Sequence, residues 1–297
     1  MTTTVLAGGV PDVPDVHDAV APAPRRARRA RVPLGVVAAG VGLGLVVLAA
    51  LLPDQIATAD PLRVQAGATL LPPGPEHWLG TDENGRDLFS RIVHGARHSL
   101  LLGFGAIAIA LVGGTLLGLL AGLGPRWVDH LVMRGADVGL AFPELLLALV
   151  VIALVGGGTG NALLAIGIAG IPTYARLVRA QTLGTRRAPF VEAARATGLT
   201  ERAVVVRHVL PNVTKPVFVL ATIGVGTATV AGAALSFLGL GTAPPTPEWG
   251  SMLATARNFI EVSWWYGLFP GLAITALVLS TTVLGRYLQR RTEGRAA

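Results

Sequence analysis

At 297 residues, 52% hydrophobic and only 14% charged, the chain has a mean hydropathy of +0.61, which is more apolar surface than a soluble domain can hide. The absence of cysteine excludes disulfides, thiolate metal sites and a cysteine nucleophile. A net charge of +7 would suggest nucleic acid in a soluble protein, but here the positive residues border apolar segments, where they orient a membrane protein. Composition therefore predicts an all-α integral membrane protein in the lipid bilayer, with no nucleic-acid partner.

Residues 1 to about 24 are rich in Pro, Ala, Val and Asp and lack any period. With Arg25, Arg26, Arg28, Arg29 and Arg31 they read as a disordered basic cytoplasmic tail, 1–32. The apolar run 33–52 matches a bilayer-crossing helix of about 30 Å. Ala57-Thr58-Ala59 resembles a signal-cleavage site, but the run exceeds a typical signal core and more spans follow, so a retained transmembrane helix is expected. Residues 53–98 form an external loop broken by Pro53, Pro61, Pro72, Pro73 and Pro75. It ends in an amphipathic helix with Leu88, Ile92 and Val93 on one side. Further apolar runs at roughly 99–123, 131–155, 161–183, 214–240 and 267–288 bring the expected total to six transmembrane helices. A core of 99–288 thus encloses a polar segment, 184–213, and a short cytoplasmic tail follows at 289–297. With loops assigned alternately, Arg63, Arg86, Arg91, Arg97 and Arg257 are the only external ones of 24 Lys and Arg, so both termini are cytoplasmic. Gly113-Gly114, Gly118, Gly122, Gly224, Gly226 and Gly232 mark faces that pack on other helices.

The polar segment is an island between two spans. Arg176, Arg179, Arg186, Arg187, Arg195, Arg202, Arg207 and Lys215 crowd around it. Locally it predicts two short helices about a turn. Pro189 suits a first helical turn, where no amide partner is needed. Gly198 suits the left-handed position after a helix end. Thr200 caps a second helix, 201–210, which Pro211 closes.

Glu192-Ala193-Ala194, Gly198 and the downstream Leu210-Pro211 resemble the EAA loop of permease subunits in bacterial ABC importers. The resemblance implies that Glu192, Ala193, Ala194, Arg195, Gly198, Leu210 and Pro211 build coupling helices that sit in a groove of the ATP-hydrolysing subunit. Leu79-Gly80-Thr81-Asp82, Gly85-Arg86-Asp87, Ser90-Arg91, Gly95-Ala96-Arg97 and Ser99-Leu100 resemble the signature of the dipeptide/oligopeptide/nickel branch. Leu235-Ser236-Phe237-Leu238-Gly239-Leu240-Gly241, Trp249-Gly250 and Pro270-Gly271-Leu272-Ala273 resemble its C-terminal third. His208 stands where the usual pattern has an aliphatic residue, and Gly232 stands where many relatives carry an acid. The family implies a type I permease fold in the bacterial inner membrane. Its partners would be a second homologous permease forming a heterodimer, two cytoplasmic ATPases and an external substrate-binding protein. ATP and Mg would sit on the ATPases, with no cofactor on this chain. Short peptides are the expected cargo, nickel or haem the alternative. A secondary transporter or channel, or a non-transporting receptor, are readings from other classes.

No Gly-x-x-x-x-Gly-Lys-Ser/Thr, Gly-x-Ser-x-Gly or His-Glu-x-x-His motif is present, and the sole lysine, Lys215, precedes a proline. Catalysis is not expected of this chain. His94 and His98 share a helix face near His77 in sequence, but two interfacial histidines are favoured over a metal site. Glu144 follows Pro143 within the third apolar run. At mid-bilayer a charge costs about 2.5–3.5 kcal/mol, so Glu144 is read either as a polar contact for cationic cargo or, preferably, as a helix start near the cytoplasmic surface.

Overall fold

A computed structural model describes residues 32–292, and over that range the chain is helical, with one isolated bridge between Thr81 and Asp87. The expected tail at 1–32 lies outside the described residues except for Val32, as does the end of the tail expected at 289–297. The helices are α1 (Leu34–Leu51), α2 (Pro53–Ile56), α3 (Leu88–Leu123), α4 (Arg126–Leu140), α5 (Glu144–Val155) and α6 (Thr159–Arg186). They continue with α7 (Pro189–Ala196), α8 (Glu201–Val204), α9 (Leu210–Phe237), α10 (Trp249–Ala256) and α11 (Trp264–Thr292). Among the described residues α1, α3, α6, the run Glu201–Phe237 and α11 are long and apolar enough to cross a membrane, and the bent pair α4–α5 passes the same test taken together, a sixth span when counted as one.

The closest helix pair is α3 against α6. In lipid no hydrophobic drive joins two helices, so contact depends on small residues that let backbones approach. Here a glycine recurs every fourth residue of α3. A Cβ on Gly118 would lie 2.6 Å from both the Ala175 carbonyl oxygen and the Val178 Cβ, and one on Gly122 would lie 2.7 Å from the Thr182 Cβ. Gly114 stands likewise against Tyr174 and Ala175, and Gly170 of α6 against Ala110. Positions 110, 114, 118 and 122 thus pair in rising order with 170, 174, 178 and 182, so the two helices run parallel. Helix α9 is antiparallel to α3, with Gly103 facing Thr229 and Ile107 facing Gly224. Helix α11 is antiparallel to α9, with Gly226 against Val278 and Thr281 and Gly285 against Ile223.

Two parallel spans need a connection that returns across the membrane, and α4–α5 is that connection. The sequence has one apolar run over 131–155, with Glu144 read as a helix start after Pro143; the structure starts α5 at Glu144 and sets it at 96° to α4. Pro143 is the cause. It has no amide hydrogen and disfavours helical backbone at the residue before it, and its own ψ of 132° is extended, just ahead of α5. Salt bridges from Asp129 to Arg179 and from Asp137 to Arg176 (the latter 2.5 Å) tie α4 to the lower half of α6.

Two further boundaries differ from expectation. The amphipathic helix before residue 99 is no separate element, because α3 runs unbroken for 36 residues from its Asp87 cap. Nor does Pro211 close a helix. Residues Val205–Val209 adopt π-helical geometry and the chain continues into α9, the wider turn accommodating a proline that cannot donate to the ladder.

Substitution tests the glycine seam. Gly118→Leu would force a side chain into α6 backbone and is expected to cost about 1–3 kcal/mol or more, lowering the melting midpoint of the purified protein in detergent. Gly135→Ala, with nothing within 4 Å of the new atom, should melt as the wild type does. Equal melting of both variants would refute so close an approach.

Candidate functional site

The polar island folds as an elbow whose geometry is set by local sequence. Pro189 occupies the first turn of α7. At its end Gly198 takes φ +85°, and the Gly198 and Leu199 amides donate to the Arg195 and Ala194 carbonyls at 2.9 and 3.3 Å. This double closure satisfies carbonyls that a helix end leaves free, and it requires a left-handed residue, best supplied by glycine. Thr200 then caps α8, its hydroxyl accepting from the Ala203 amide at 3.4 Å.

The underside of the elbow is apolar. Val191, Val204, Val209 and Val213 are fully buried and Ala194 nearly so, in one cluster with Val178 and Tyr174 of α6. Arg195 fastens the elbow from the side: Nε donates to Glu201 Oε1 at 2.7 Å, and a second guanidinium nitrogen donates to the Arg186 carbonyl at 3.3 Å. The hydrogen bond to Glu201 raises the Arg195 pKa above its ordinary value. Arg186 in turn donates to the Gly122 carbonyl of α3 at 2.8 Å.

Of the residues expected to couple, Glu192, Ala193, Gly198 and Pro211 lie on exposed surface, whereas Ala194 faces inward and Leu210 is half-buried. The small size of Ala194 serves packing on the spans, and Arg195 braces the elbow internally. Phe190, 47% exposed, and Val206, 61% exposed, also stand on this surface. Sequence reasoning passed over both, although a large apolar side chain in a polar island was the available signal.

On the opposite end of the helices the signature loop is a fastening. Thr81, Asp82, Arg86 and Asp87 are buried, and Gly80 and Gly85 have φ of +81° and +72°. Asp82 accepts from the Arg86 amide at 2.9 Å and from Arg86 Nε at 2.6 Å. Asp87 caps α3 through the Ser90 amide at 2.9 Å and meets His77 Nδ1 at 2.9 Å. Arg91, part of the signature run, and Tyr266 and Glu248, to which the sequence reading gave no role, complete the fastening. Arg91 donates to the Pro61 and Pro245 carbonyls, and Tyr266 of α11 donates to Glu83 at 2.5 Å. Glu248, buried in the 241–248 loop, caps α10 through the Gly250 and Ser251 amides at 2.8 and 2.9 Å.

Comparison with known proteins matches residues 114–294 to the family described as binding-protein-dependent transport system inner membrane component. The chain belongs to that family. It is 48% identical over 213 residues to the dipeptide transport system permease protein DppC of Alkalihalophilus pseudofirmus, covering 72% of this chain and 70% of that one. It is 44% identical over 247 residues to the di/tripeptide permease DppC of Pseudomonas aeruginosa, covering 81% and 82%. The glutathione permease GsiD of Pectobacterium atrosepticum is 43% identical over 72% of this chain and 71% of its own. Among solved structures, an inward-facing MetNI methionine ABC transporter chain superposes with a TM-score of 0.55 at 19% identity, covering 68% of this chain and 95% of that one. That likeness concerns the fold. The chain is a multi-pass, non-catalytic permease subunit of an ABC importer.

The remaining candidates in this permease separate clearly. His94 is engaged by the Ser90 carbonyl at 2.9 Å and Asp54 at 3.2 Å, and no group of three or more His, Cys, Asp or Glu side chains suited to a metal ion occurs among the described residues. Glu144 is the first residue of α5, exposed, and its Oε1 would stand 3.6 Å from a Cβ on Gly170. Gly170 lies near the middle of α6.

Glu248→Ala would leave the two α10 amides and the Ser99 hydroxyl without their acceptor. The expected loss is about 1–2 kcal/mol of stability, read as a lowered melting midpoint in detergent, with Glu248→Gln retaining part of it. An unchanged midpoint would show that the cap carries no stability.

Proposed function

We propose that this permease forms half of the translocation pathway of an importer for short peptides, and that its elbow docks on a cytoplasmic ATPase. The cargo follows the relatives, whose names specify dipeptides, di/tripeptides and glutathione. A partner permease, two ATPases that carry ATP and Mg, and an external binding protein complete the assembly. Both termini and the elbow face the cytoplasm, and the 53–87 and 238–263 segments face outward, where the binding protein delivers cargo.

One observation carries the coupling role: the elbow is built into the spans. Its second arm, α8, continues through the π-helical stretch into α9 as one helix, Glu201–Phe237. Its first arm is joined to α6 by the Arg195–Arg186 contact. A displacement applied at Glu192, Ala193 and Gly198 therefore acts on two spanning helices at once. Closure of an ATPase dimer would tilt them as rigid bodies and switch the pathway between inward- and outward-facing states. Glu192 suits docking because it is exposed and its carboxylate accepts no hydrogen bond from the described residues.

Gly198→Val places a β-branched residue at φ +85°, a strain of about 1–3 kcal/mol in the turn. It is expected to abolish uptake while the protein stays in the membrane. Glu192→Lys should do the same and should also reduce copurification of the ATPase. Transport assays on membranes matched for permease content check both, and normal uptake in either variant would contradict the coupling role.

A further inference from the structure

We propose that Glu144 is a cargo-recognition residue, a carboxylate held halfway across the membrane that receives the ammonium terminus of a peptide in transit. The inference rests on the peptide-import reading above. It begins from the break between α4 and α5. Irregular backbone inside a bilayer is tolerated only where it is buried in protein or lines a watered cavity, and the Ala141-Phe142-Pro143 break is exposed on this chain. Glu144, the residue directly after it, is exposed as well.

Three helices fix the depth. Glu144 lies beside Gly170, about 16 Å along α6 from its outer end at 1.5 Å per residue, or roughly half of a 30 Å hydrocarbon core. Gly170 packs on Ala110 of α3, with 3.0 Å between the Ala110 Cβ and a Cβ on Gly170, and Ala110 lies midway through the apolar stretch of that helix. One turn further along α6, Tyr174 reaches Gly224 at the centre of α9 with its hydroxyl and lies within electrostatic range of Glu144. Further along α6, Arg176 and Arg179 lie about 9 and 14 Å past Gly170 at 1.5 Å per residue and are held by Asp137 and Asp129. No ion pair or hydrogen bond to Glu144 occurs among the described residues.

An unpaired carboxylate at mid-membrane must meet water or a cation, and discontinuous helices at this depth commonly build transport sites. Only one carboxylate is present, so a divalent ion lacks the further oxygen ligands it would need. An ammonium group needs one charged acceptor and neighbouring neutral ones. Glu144 supplies the first, at the exposed break. A zwitterionic peptide carries that group at its amino terminus.

The test uses the assembled complex of both permeases and ATPases in lipid nanodiscs, without receptor or nucleotide. The probe is a dipeptide with a photoreactive diazirine on its first residue, used with a free or an acetylated amino terminus. In the wild type the free-amine probe should label residues 142–146 or 170–174. Acetylation, Glu144→Gln, or both together should each reduce labelling by about tenfold, the range for one charge-assisted hydrogen bond, and Glu144→Asp should restore part of it. Equal labelling of Glu144→Gln and wild type, or of free and acetylated probes, would overturn the proposal. So would separation of the two permeases in Glu144→Gln, which would mark the residue as a subunit contact. Uptake by receptor-supplemented wild-type proteoliposomes separates the two readings. If uptake is present but labelling ignores Glu144, this inference alone fails; if no peptide enters, the peptide-import reading fails with it.

Discussion

The structure depends on the parallel approach of α3 and α6. Lipid gives two helices no hydrophobic reason to associate, so their contact rests on glycines at every fourth position of α3, facing Tyr174, Val178 and Thr182. Because the two spans run in the same direction, the chain between them must recross the bilayer. It does so through a helix that Pro143 breaks. The same register brings the end of α6 beside Gly122, where Arg186 anchors it, and so fixes where the elbow leaves the membrane. The position of Glu144 and the orientation of the elbow are thus two consequences of one packed seam.

The two ends of the bundle solve opposite problems. The signature-loop end is locked: Asp82 is held by Arg86 and Arg91 from its own segment, Tyr266 of α11 reaches Glu83 across 183 positions, and the buried acids are satisfied by amides and guanidinium groups. Unpaired, such groups would be costly. Paired, they hold the 53–98 segment, α3 and α11 as one unit. The elbow end instead presents Phe190, Glu192, Ala193 and Val206 to solvent on a seated base of buried valines. A rigid cap at one end and an exposed elbow at the other suit the proposed drive from one side.

What sequence revealed follows the range of the interactions. Pro189, Gly198 and Thr200 were legible as turn and cap residues because each acts within a few residues of itself, and the structure has all three in those roles. The apolar spans were legible from hydropathy, and the break at Pro143 from the proline itself. The angle of that break was not, since apolar length is blind to direction, and the continuation through Pro211 was hidden because a π-helical stretch has no local composition signal. The contacts of Tyr266 with Glu83 and of Arg91 with Pro245 were hidden for a different reason: the partners lie 183 and 154 positions away. The signature loop stood out by resemblance, yet its work as a buried fastening came only with the coordinates.

The central claim is that the elbow is gripped from inside the cell by a soluble ATPase. The natural absence of cysteine makes a direct measurement simple, because Ala193→Cys introduces a lone thiol at an exposed position. A membrane-impermeant maleimide should label that thiol in inside-out vesicles and not in right-side-out ones, and bound ATPase subunits should protect it. Labelling from the outer face, or labelling indifferent to the ATPase, would contradict the account.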